Sequence, residues 1–442
     1  MTFSLRKSAV LGATVAFGLV GGVGGALGAD PKSREDLRPI VAEYVESGDI
    51  EKALAALKAK KATPQELVAT LRTTPRFEEM VGGERNVPLK DGHGTASDLE
   101  IVAPATSSIT RAKQGVGLLI LLHGIKGNGR QIRFYAEKIV ASHPDVVCIA
   151  PSAQPPSEAP EDGIPASLSK TFPHWWMYAS PKSIPMTALR MAKKMFPIDH
   201  DRVVLCGASM GGYGAWNIGA RHCDRWAGVA PLCGGITRLS QVGMKDDKTW
   251  ALLENTRLYP MFAAHGDKDG VVPYQPDKDA ADHVKELGCE MKFHTLEGVG
   301  HDLKEAMLKG TVADELEAFC TSRKRNSHPA KVTVVSADER NDGAFWLRIA
   351  KRAKGPDYAR MEAAIDKAHN AVVIAKSSGV ETARIYLDDK LLDLSKTVTV
   401  LVGDDVKWKG KPTPELKAAL ESWKSREDEK LVFGAFVDVD LK

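Results

Sequence analysis

The fold of this chain is indicated by one stretch, Val203-Val204-Leu205-Cys206-Gly207-Ala208-Ser209-Met210-Gly211-Gly212-Tyr213-Gly214. Its four leading apolar residues predict a buried strand, and the small residues after Ser209 predict the start of a helix. A serine on so sharp a strand-to-helix turn has strained backbone, and bulky residues two positions to either side would clash. Gly207 and Gly211 remove those clashes. The pattern therefore predicts a serine exposed at the end of a sheet, beside helix N-terminal amides; an ordinary glycine-rich turn is the alternative.

Around this turn, short apolar runs alternate with amphipathic segments from residue 84 to residue 325. Such alternation is typical of an α/β domain whose mostly parallel, doubly wound sheet is covered by helices on both faces. In such sheets, ligands and reactive groups gather at the carboxyl ends of the strands. The predicted strands are residues 99–102, 116–122, 146–150, 203–206, 227–232, 261–264 and 291–296, and the predicted helices are 131–141, 185–195, 213–221, 277–287 and 302–320.

Residues 1–29 are predicted to be a signal peptide. Arg6 and Lys7 precede an uncharged stretch, residues 8–27, that ends in small residues, as export signals do. We therefore expect a secreted or periplasmic protein with no stable membrane insertion after cleavage. The stretch is also long enough to be an uncleaved membrane anchor, which is the alternative.

Two further segments flank the α/β domain at 84–325. Residues 30–83 form a predicted helical segment with apolar residues at helical spacing, which either packs on the main domain or is a spacer. Residues 326–442 form a predicted β-rich domain, a small sandwich in which residues 412–424 are a short helix. The strands predicted there are residues 332–335, 345–349, 370–375, 383–387, 398–402 and 432–439.

Composition excludes several classes of protein. Of the 442 residues, 26% are charged with a net charge of +3, and the absence of a basic patch argues against nucleic acid as a partner. The six cysteines show no spacing typical of zinc ligands, and neither a metal nor another cofactor is expected. Cys148 and Cys206 fall in predicted buried strands, whereas Cys223 and Cys233 could form a disulfide in an oxidising compartment.

A reactive serine needs a base to take its proton and a carboxylate to orient that base. In serine hydrolases built on such sheets, the order along the chain is serine, acid, histidine. Downstream of Ser209, Asp269 follows one predicted strand and His301 follows the next, in a glycine-rich loop. We expect Asp269 as the acid in preference to Asp267, and His301 as the base in preference to His265, which comes before the acid.

Backbone amides should stabilise the oxyanion that forms on the attacked carbonyl group. Met210, directly after the serine, is expected to supply one amide. Ile125, with Gly124 as the alternative, is expected to supply the other from the glycine-rich turn after residues 116–122. That turn could instead bind a phosphate, but it lacks the G-x-x-x-x-G-K-[ST] pattern.

A proline-rich loop follows residue 151 and ends in an aromatic cluster that includes Trp175 and Trp176. We expect these two tryptophans to line a substrate cleft over the carboxyl edge of the sheet. The alternative is that the aromatic rings hold the loop against the body of the domain.

Several further motifs accompany the serine turn: Leu122-His123-Gly124, Gly207 to Gly214, Arg221-His222, Asp224-Arg225, Ala230 to Gly235, and His265-Gly266 through Asp269 to Val272-Pro273. Together these motifs resemble secreted α/β-hydrolases, a group that includes polyhydroxybutyrate-depolymerase-like and feruloyl-esterase-like enzymes, phospholipase/carboxylesterase proteins and predicted peptidases. The resemblance covers about residues 84–325. It implies Ser209 as nucleophile, Asp269 as acid, His301 as base, and Ile125 with Met210 as oxyanion donors.

The expected function is hydrolysis of a small-molecule or polymeric carboxylic ester, such as a feruloyl, acetyl or polyester substrate, through an acyl-enzyme. Two alternatives remain open. One is a serine peptidase on the same fold; the other is a non-catalytic polymer-binding protein on a hydrolase scaffold.

Overall fold

A sheet of eight strands forms the centre of the protein. The structure, a computed structural model, describes residues 33–74, 80–154, 176, 182–236, 247–302 and 304–441. The predicted signal peptide lies outside these residues. The strands of the sheet are β1 (Gly83–Lys90), β2 (Ala96–Ala103), β3 (Val116–Leu122), β4 (Val146–Pro151), β5 (Ile198–Ala208), β6 (Gly228–Leu232), β7 (Met261–Gly266) and β8 (Met291–Leu296).

The sheet is mostly parallel, as predicted. Its strand order is β1-β2-β4-β3-β5-β6-β7-β8. β1 is antiparallel to β2 and β2 is antiparallel to β4, whereas the pairs from β4 through to β8 are all parallel. β1 was not among the predicted strands because most of it is exposed and only Leu89 is buried, which leaves no apolar run.

Two hydrophobic cores lie on the two faces of this sheet. In β3, Leu118, Ile120 and Leu122 belong to one core, and Leu119 and Leu121 belong to the other. This alternation follows from the two-residue period of a strand, and it explains why β3 is apolar along its whole length.

Helices cover both faces. The predicted helix over 302–320 is wrong in one respect: it is two helices, α10 and α11, because Gly310 at their junction has a left-handed φ of 79°. The helices are α1 (Arg38–Ser47), α2 (Ile50–Ala59), α3 (Pro64–Thr73), α4 (Thr106–Arg111), α5 (Arg133–Ser142), α6 (Ile184–Met195), α7 (Met210–Arg221), α8 (Asp247–Leu252), α9 (Tyr274–Glu286), α10 (Lys304–Leu308), α11 (Gly310–Ser322) and α12 (Leu416–Arg426).

The N-terminal helices pack against α12 from the far end of the chain. Leu57 and Leu71 share a core with Leu420 and Trp423, all of them almost fully buried. The Tyr44 hydroxyl donates a hydrogen bond of 2.6 Å to the carbonyl oxygen of Leu420. The segment is therefore packed, but its core is shared with α12 of the C-terminal region, whereas the prediction placed it on the main domain.

The C-terminal region consists of two sheets. Its strands are β9 (Lys331–Ser336), β10 (Gly343–Ala344), β11 (Leu347–Arg352), β12 (Ala359–Asp366), β13 (Ala371–Ser378), β14 (Val380–Leu387), β15 (Val398–Val402), β16 (Asp405–Gly410) and β17 (Ala435–Asp440). One sheet has the order β16-β15-β13-β12-β9 and the other β10-β11-β14-β17. The prediction missed β10, β12 and β16, since β10 has only two residues, β12 is rich in alanine and β16 is largely exposed.

Residues Lys32–Lys442 form one compact unit. Asn255 joins the central sheet region to β9: its side-chain nitrogen donates to the carbonyl oxygen of Val335 at 2.8 Å, and its side-chain oxygen accepts from the Val335 amide at 2.7 Å. The division into separate domains at residues 83/84 and 325/326 stays a prediction. Within the described ranges, no helix is long and apolar enough to cross a membrane.

Candidate active site

Ser209 occupies a strained turn between β5 and α7. Its φ of 59° and ψ of −121° lie outside the regions that non-glycine residues ordinarily adopt. A Cβ on Gly207 would lie 2.1 Å from the carbonyl oxygen of Gly211, and a Cβ on Gly211 would lie 2.0 Å from that of Leu122. Both contacts are with backbone that cannot move aside, so only glycine is compatible with this turn.

Ser209, His301 and Asp269 form one hydrogen-bonded chain. Oγ of Ser209 lies 2.8 Å from Nε2 of His301, and Nδ1 of His301 lies 2.7 Å from Oδ2 of Asp269. The three residues follow β5, β8 and β7, so the parallel strands bring them together at their carboxyl ends. This is the arrangement that nucleophilic catalysis by a serine requires.

The carboxylate of Asp269 is held in place from its other side. Its side chain is fully buried, and Oδ1 accepts hydrogen bonds from the amides of Val271 and Val272 at 2.8 and 2.9 Å. Burial raises the pKa of Asp269, but the hydrogen bonds from His301 and from these amides outweigh it and bring the pKa below its ordinary value. The alternative acid, Asp267, accepts a backbone amide at 2.7 Å in the neighbouring turn instead.

The ionised carboxylate determines the tautomer of His301. A carboxylate only accepts hydrogen bonds, so Nδ1 of His301 carries the proton that is donated to Asp269. Nε2 is therefore left as an acceptor for the Ser209 hydroxyl proton. With 23% of its side chain exposed, His301 stands between the buried carboxylate and the solvent.

A second histidine, His265, lies behind Asp269. Its Nδ1 is 2.8 Å from Oδ2 of Asp277, and its Nε2 is 3.1 Å from the carbonyl oxygen of Val272 and 3.2 Å from Oδ2 of Asp269. Burial lowers the pKa of His265, but the bonds to these acceptors, that of Asp277 above all, raise it above its ordinary value. Because its partners on both sides only accept, both nitrogens of this fully buried ring carry protons.

This buried ion cluster continues into the helix that follows the serine. The indole nitrogen of Trp216, on α7, donates to Oδ1 of Asp277 at 2.8 Å. The sequence placed His265 at a strand end but contained no signal that Asp277, one of many acidic residues in an amphipathic helix, would be its partner. Their pairing depends on how α9 packs beside β7.

The turn after β3 lies directly against Ser209. A Cβ on Gly124 would be 3.3 Å from Cβ of Ser209. His123 supports the turn: its Nε2 accepts from the Ala153 amide at 2.9 Å, so its Nδ1 donates to the carbonyl oxygen of Gly124 at 2.7 Å. Burial lowers the pKa of His123, consistent with a neutral ring.

Two backbone amides near Ser209 are available as donors. Met210 is the first residue of α7, and the amide of a first helical residue has no partner within its helix. The amide of Ile125 donates to no acceptor among the described residues, and the Ile125 side chain is 43% exposed at the edge of the site.

Of the two predicted substrate-binding tryptophans, Trp175 lies outside the described residues. Trp176 is 2% exposed, and its indole nitrogen donates to the carbonyl oxygen of His123 at 2.9 Å. Its ring packs edge-on against the His123 ring, with ring centroids 5.2 Å apart. The structure thus gives Trp176 a supporting contact with the turn after β3, and its contact with a substrate stays a prediction.

The six cysteines are all free, so Cys223 and Cys233 are not joined. Cys233, with Asp269 and His301, brings three ligand-type atoms within 4.8 Å of one another. Burial raises the pKa of Cys233 far above its ordinary value, and the other two residues are hydrogen-bonded to each other, so this group is poorly suited to hold a metal. His200, Asp428 and Glu429 form a second such group, in which Arg325 already pairs with Asp428 at 2.9 Å.

The sheet order, the serine turn and the strand-end histidine and aspartate together define an α/β-hydrolase fold. The family described as phospholipase/carboxylesterase matches residues 106–314. The resemblance predicted from the sequence motifs is therefore confirmed for the part of the chain that holds the site.

Individual relatives match over shorter stretches. Lysophospholipase-like protein 1 of Mus musculus is 30% identical over 113 residues, which are 25% of this chain and 45% of that protein. Acyl-protein thioesterase 1 of Neurospora crassa is 32% identical over 126 residues, which are 28% and 48% of the two chains. The chain thus spans about half the length of the curated relatives it matches. Among solved structures, a ferulic acid esterase is 17% identical with a TM-score of 0.39, covering 55% of this chain and 99% of its own.

Proposed function

We propose that this protein is a serine hydrolase that cleaves carboxylic esters through an acyl-enzyme, with Ser209, His301 and Asp269 as its catalytic triad. The observation that carries the proposal is the continuous hydrogen-bonded chain from the Ser209 hydroxyl to the buried Asp269 carboxylate. The match of residues 106–314 to the phospholipase/carboxylesterase family supports the same class of reaction.

In the first step, Nε2 of His301 takes the proton of the Ser209 hydroxyl as Oγ attacks the ester carbonyl carbon. Asp269 keeps the imidazole in the correct tautomer and stabilises the imidazolium that forms. The negative charge on the carbonyl oxygen is stabilised by the amides of Met210 and Ile125. Gly124 brings the second donor close, since a side chain there would crowd Ser209.

Collapse of the tetrahedral intermediate expels the alcohol, which takes the proton from His301 and leaves an acyl group on Ser209. A water molecule then gives a proton to Nε2 and attacks the acyl carbon, and the acid leaves with regeneration of the serine hydroxyl. Each step is served by side chains and amides of this chain.

The acyl group and the leaving group are best sought among esters and thioesters. The esterase family match favours esters, and the similarity to an acyl-protein thioesterase makes a thioester a sensible second substrate class. We further propose that the enzyme is exported, on the strength of Arg6, Lys7 and the uncharged segment that follows. Sequencing the N-terminus of the protein recovered from the cell envelope or medium tests this: a start near residue 30 is expected, and a start at Met1 counts against export by cleavage.

The central test is hydrolysis of a panel of chromogenic esters, from acetyl through butyryl and octanoyl to feruloyl, together with an acyl thioester and a peptide amide. Ser209→Ala is expected to lower kcat/KM on the best ester by at least roughly a thousandfold. Ser322→Ala, a hydroxyl bonded only within α11, is the matched control and should retain full activity. Ester turnover that survives Ser209→Ala would refute the mechanism, and turnover of the amide alone would favour a peptidase.

A further inference from the structure

A cavity of about 250 Å³ lies where α6, the end of α7 and the end of α12 meet β10 and β11. It is separate from the Ser209 site: α7 starts beside Ser209 and reaches the cavity with its last residue, about 16 Å further on at 1.5 Å per residue. Of the described residues, seven lysines and arginines line the cavity against three carboxylates.

The three carboxylates already have cationic partners. Asp224 accepts from Nε of Arg426 at 2.7 Å, and Asp342 pairs with Arg352, which does not line the cavity, at 2.9 Å. The third, Glu427, has its carboxylate 3.7 Å from Nε of Arg190. Among the described residues that line the cavity, every carboxylate therefore already has a cationic partner.

Some of the cations have a structural role. Lys193 donates to the carbonyl oxygen of Glu427 at 3.0 Å, and Arg225 donates to that of Ser425 at 2.8 Å. Both bonds satisfy carbonyl groups at or just beyond the end of α12, where a helix favours positive charge. Burial lowers the pKa of Lys193 to about 8, and the nearby carboxylate of Asp428 opposes this effect.

Arg348 and Arg221 have no such role. Among the described residues, the Arg348 guanidinium has no hydrogen-bond acceptor and no ion-pair partner, and Arg221 bonds only to the neutral side-chain oxygen of Asn217, at 2.8 Å. Burial, and then the positive charge of Arg426, lower the pKa of Arg348. They outweigh the opposing effects of Tyr386, Asp342 and Asp224, none of which is hydrogen-bonded to it. A half-buried arginine without an anion is costly, because its desolvation is not offset.

We propose that this cavity is an anion site that binds a phosphate group, as inorganic phosphate or as a small phosphate monoester, between Arg348 and Arg221. Guanidinium groups present paired donors that match phosphate oxygens, and a phosphate dianion would neutralise the two uncompensated charges. The volume admits the phosphate together with a small substituent. The site lies outside the residues that carry the proposed hydrolysis and does not depend on it.

The test measures phosphate binding by the full chain with calorimetry and thermal unfolding, in chloride buffer of constant ionic strength. The variants are Arg348→Gln and Arg221→Gln. Arg111→Gln, which neutralises an exposed arginine at the end of α4, is the control for non-specific salt effects. Inorganic phosphate should raise the Tm of the wild type and of the control in a saturable manner, and Arg348→Gln and Arg221→Gln should each weaken binding at least roughly tenfold, as expected for loss of a charge-assisted bond.

A second readout separates binding from a structural role. In chloride alone, Arg348→Gln should unfold at the wild-type Tm or above it, because the charge removed has no partner. Equal phosphate affinity in the wild type and Arg348→Gln, or no saturable binding by the wild type, would overturn the proposal. So would a Tm for Arg348→Gln in chloride well below that of the wild type. Glycerol 3-phosphate tested beside inorganic phosphate distinguishes the two sources: tighter binding of the ester identifies a monoester site.

Discussion

Replacing Asp269 by Asn tests the proposed mechanism most sharply, because the two oxygens of this carboxylate have different partners. Oδ1 accepts from two backbone amides, those of Val271 and Val272. Oδ2 accepts from Nδ1 of His301 and also lies 3.2 Å from Nε2 of His265. An asparagine has only one oxygen to offer in their place.

The two amides decide how the asparagine is oriented. If its NH₂ group faced them, three donors would confront one another, whereas its oxygen can accept from both. The NH₂ group therefore faces His301 and donates to Nδ1, which drives the imidazole proton to Nε2. Nε2 of His265 keeps the carbonyl oxygen of Val272, 3.1 Å away, as its acceptor. In that tautomer Nε2 donates towards Ser209 and cannot take its proton.

Loss of the correct tautomer in a Ser-His-Asp triad lowers kcat by roughly 10⁴-fold. At about 1.4 kcal/mol for each factor of ten, this corresponds to about 5 kcal/mol of lost transition-state stabilisation. The assay is steady-state hydrolysis of the best ester from the panel, with thermal unfolding of each variant measured alongside to exclude loss of the fold.

Asp267→Asn is the matched control, since it makes the same chemical change two residues away, at a carboxylate bonded to a backbone amide. It should keep kcat within a fewfold of the wild type. The reasoning fails if Asp269→Asn retains kcat within a factor of ten, or if Asp267→Asn suffers the larger loss.

Two further predictions concern the turn around Ser209 and the ion pair that joins Asp224 to Arg426 in the C-terminal region. Gly211→Ala would place a Cβ 2.0 Å from a backbone carbonyl oxygen of β3, so soluble yield or Tm should fall sharply and activity should be lost. The control Gly270→Ala, with open space around its Cβ, should behave as the wild type. Activity and a normal Tm in Gly211→Ala would contradict the turn geometry. Burial raises the pKa of Asp224, but the charges of Arg426 and Arg225 outweigh this effect and bring the pKa to about 2, below its ordinary 3.8. A carboxyl group with a lowered pKa stabilises the fold above its ordinary pKa and loses that contribution as the pH falls, so the wild type should lose about 1 kcal/mol through this group between pH 6 and pH 3. The stability advantage of the wild type over Asp224→Asn, from denaturant unfolding, should shrink by that amount; an advantage independent of pH would refute the assignment.

Local sequence patterns identified the positions at which the backbone conformation or the burial allows only a few residue types. The run 203–206 is apolar enough to be a buried strand, and Gly207 and Gly211 are the glycines that the serine turn requires. Local patterns also located the strand ends that carry Asp269 and His301, because a loop after a buried strand of a parallel sheet lies at its carboxyl edge.

Local patterns failed where burial or pairing came from distant parts of the chain. β12 holds three alanines, which favour a helix, yet pairing with β9 and β13 makes it a strand. β1 is too exposed to show an apolar run, and its place at the edge of the sheet depends on β2.

The sequence by itself determined the serine turn, the order of serine, aspartate and histidine, and the parallel sheet that unites them, because each depends on glycines, apolar runs and loop positions in neighbouring residues. Only the tertiary structure decided that His265 is held between Asp277 and Asp269. It also decided that Arg348 and Arg221 face one cavity, where neither has a carboxylate partner among the described residues. Charged side chains look alike in a sequence. Their pKa and their function depend on which other charges the fold buries beside them, and those neighbours come from distant segments of the chain.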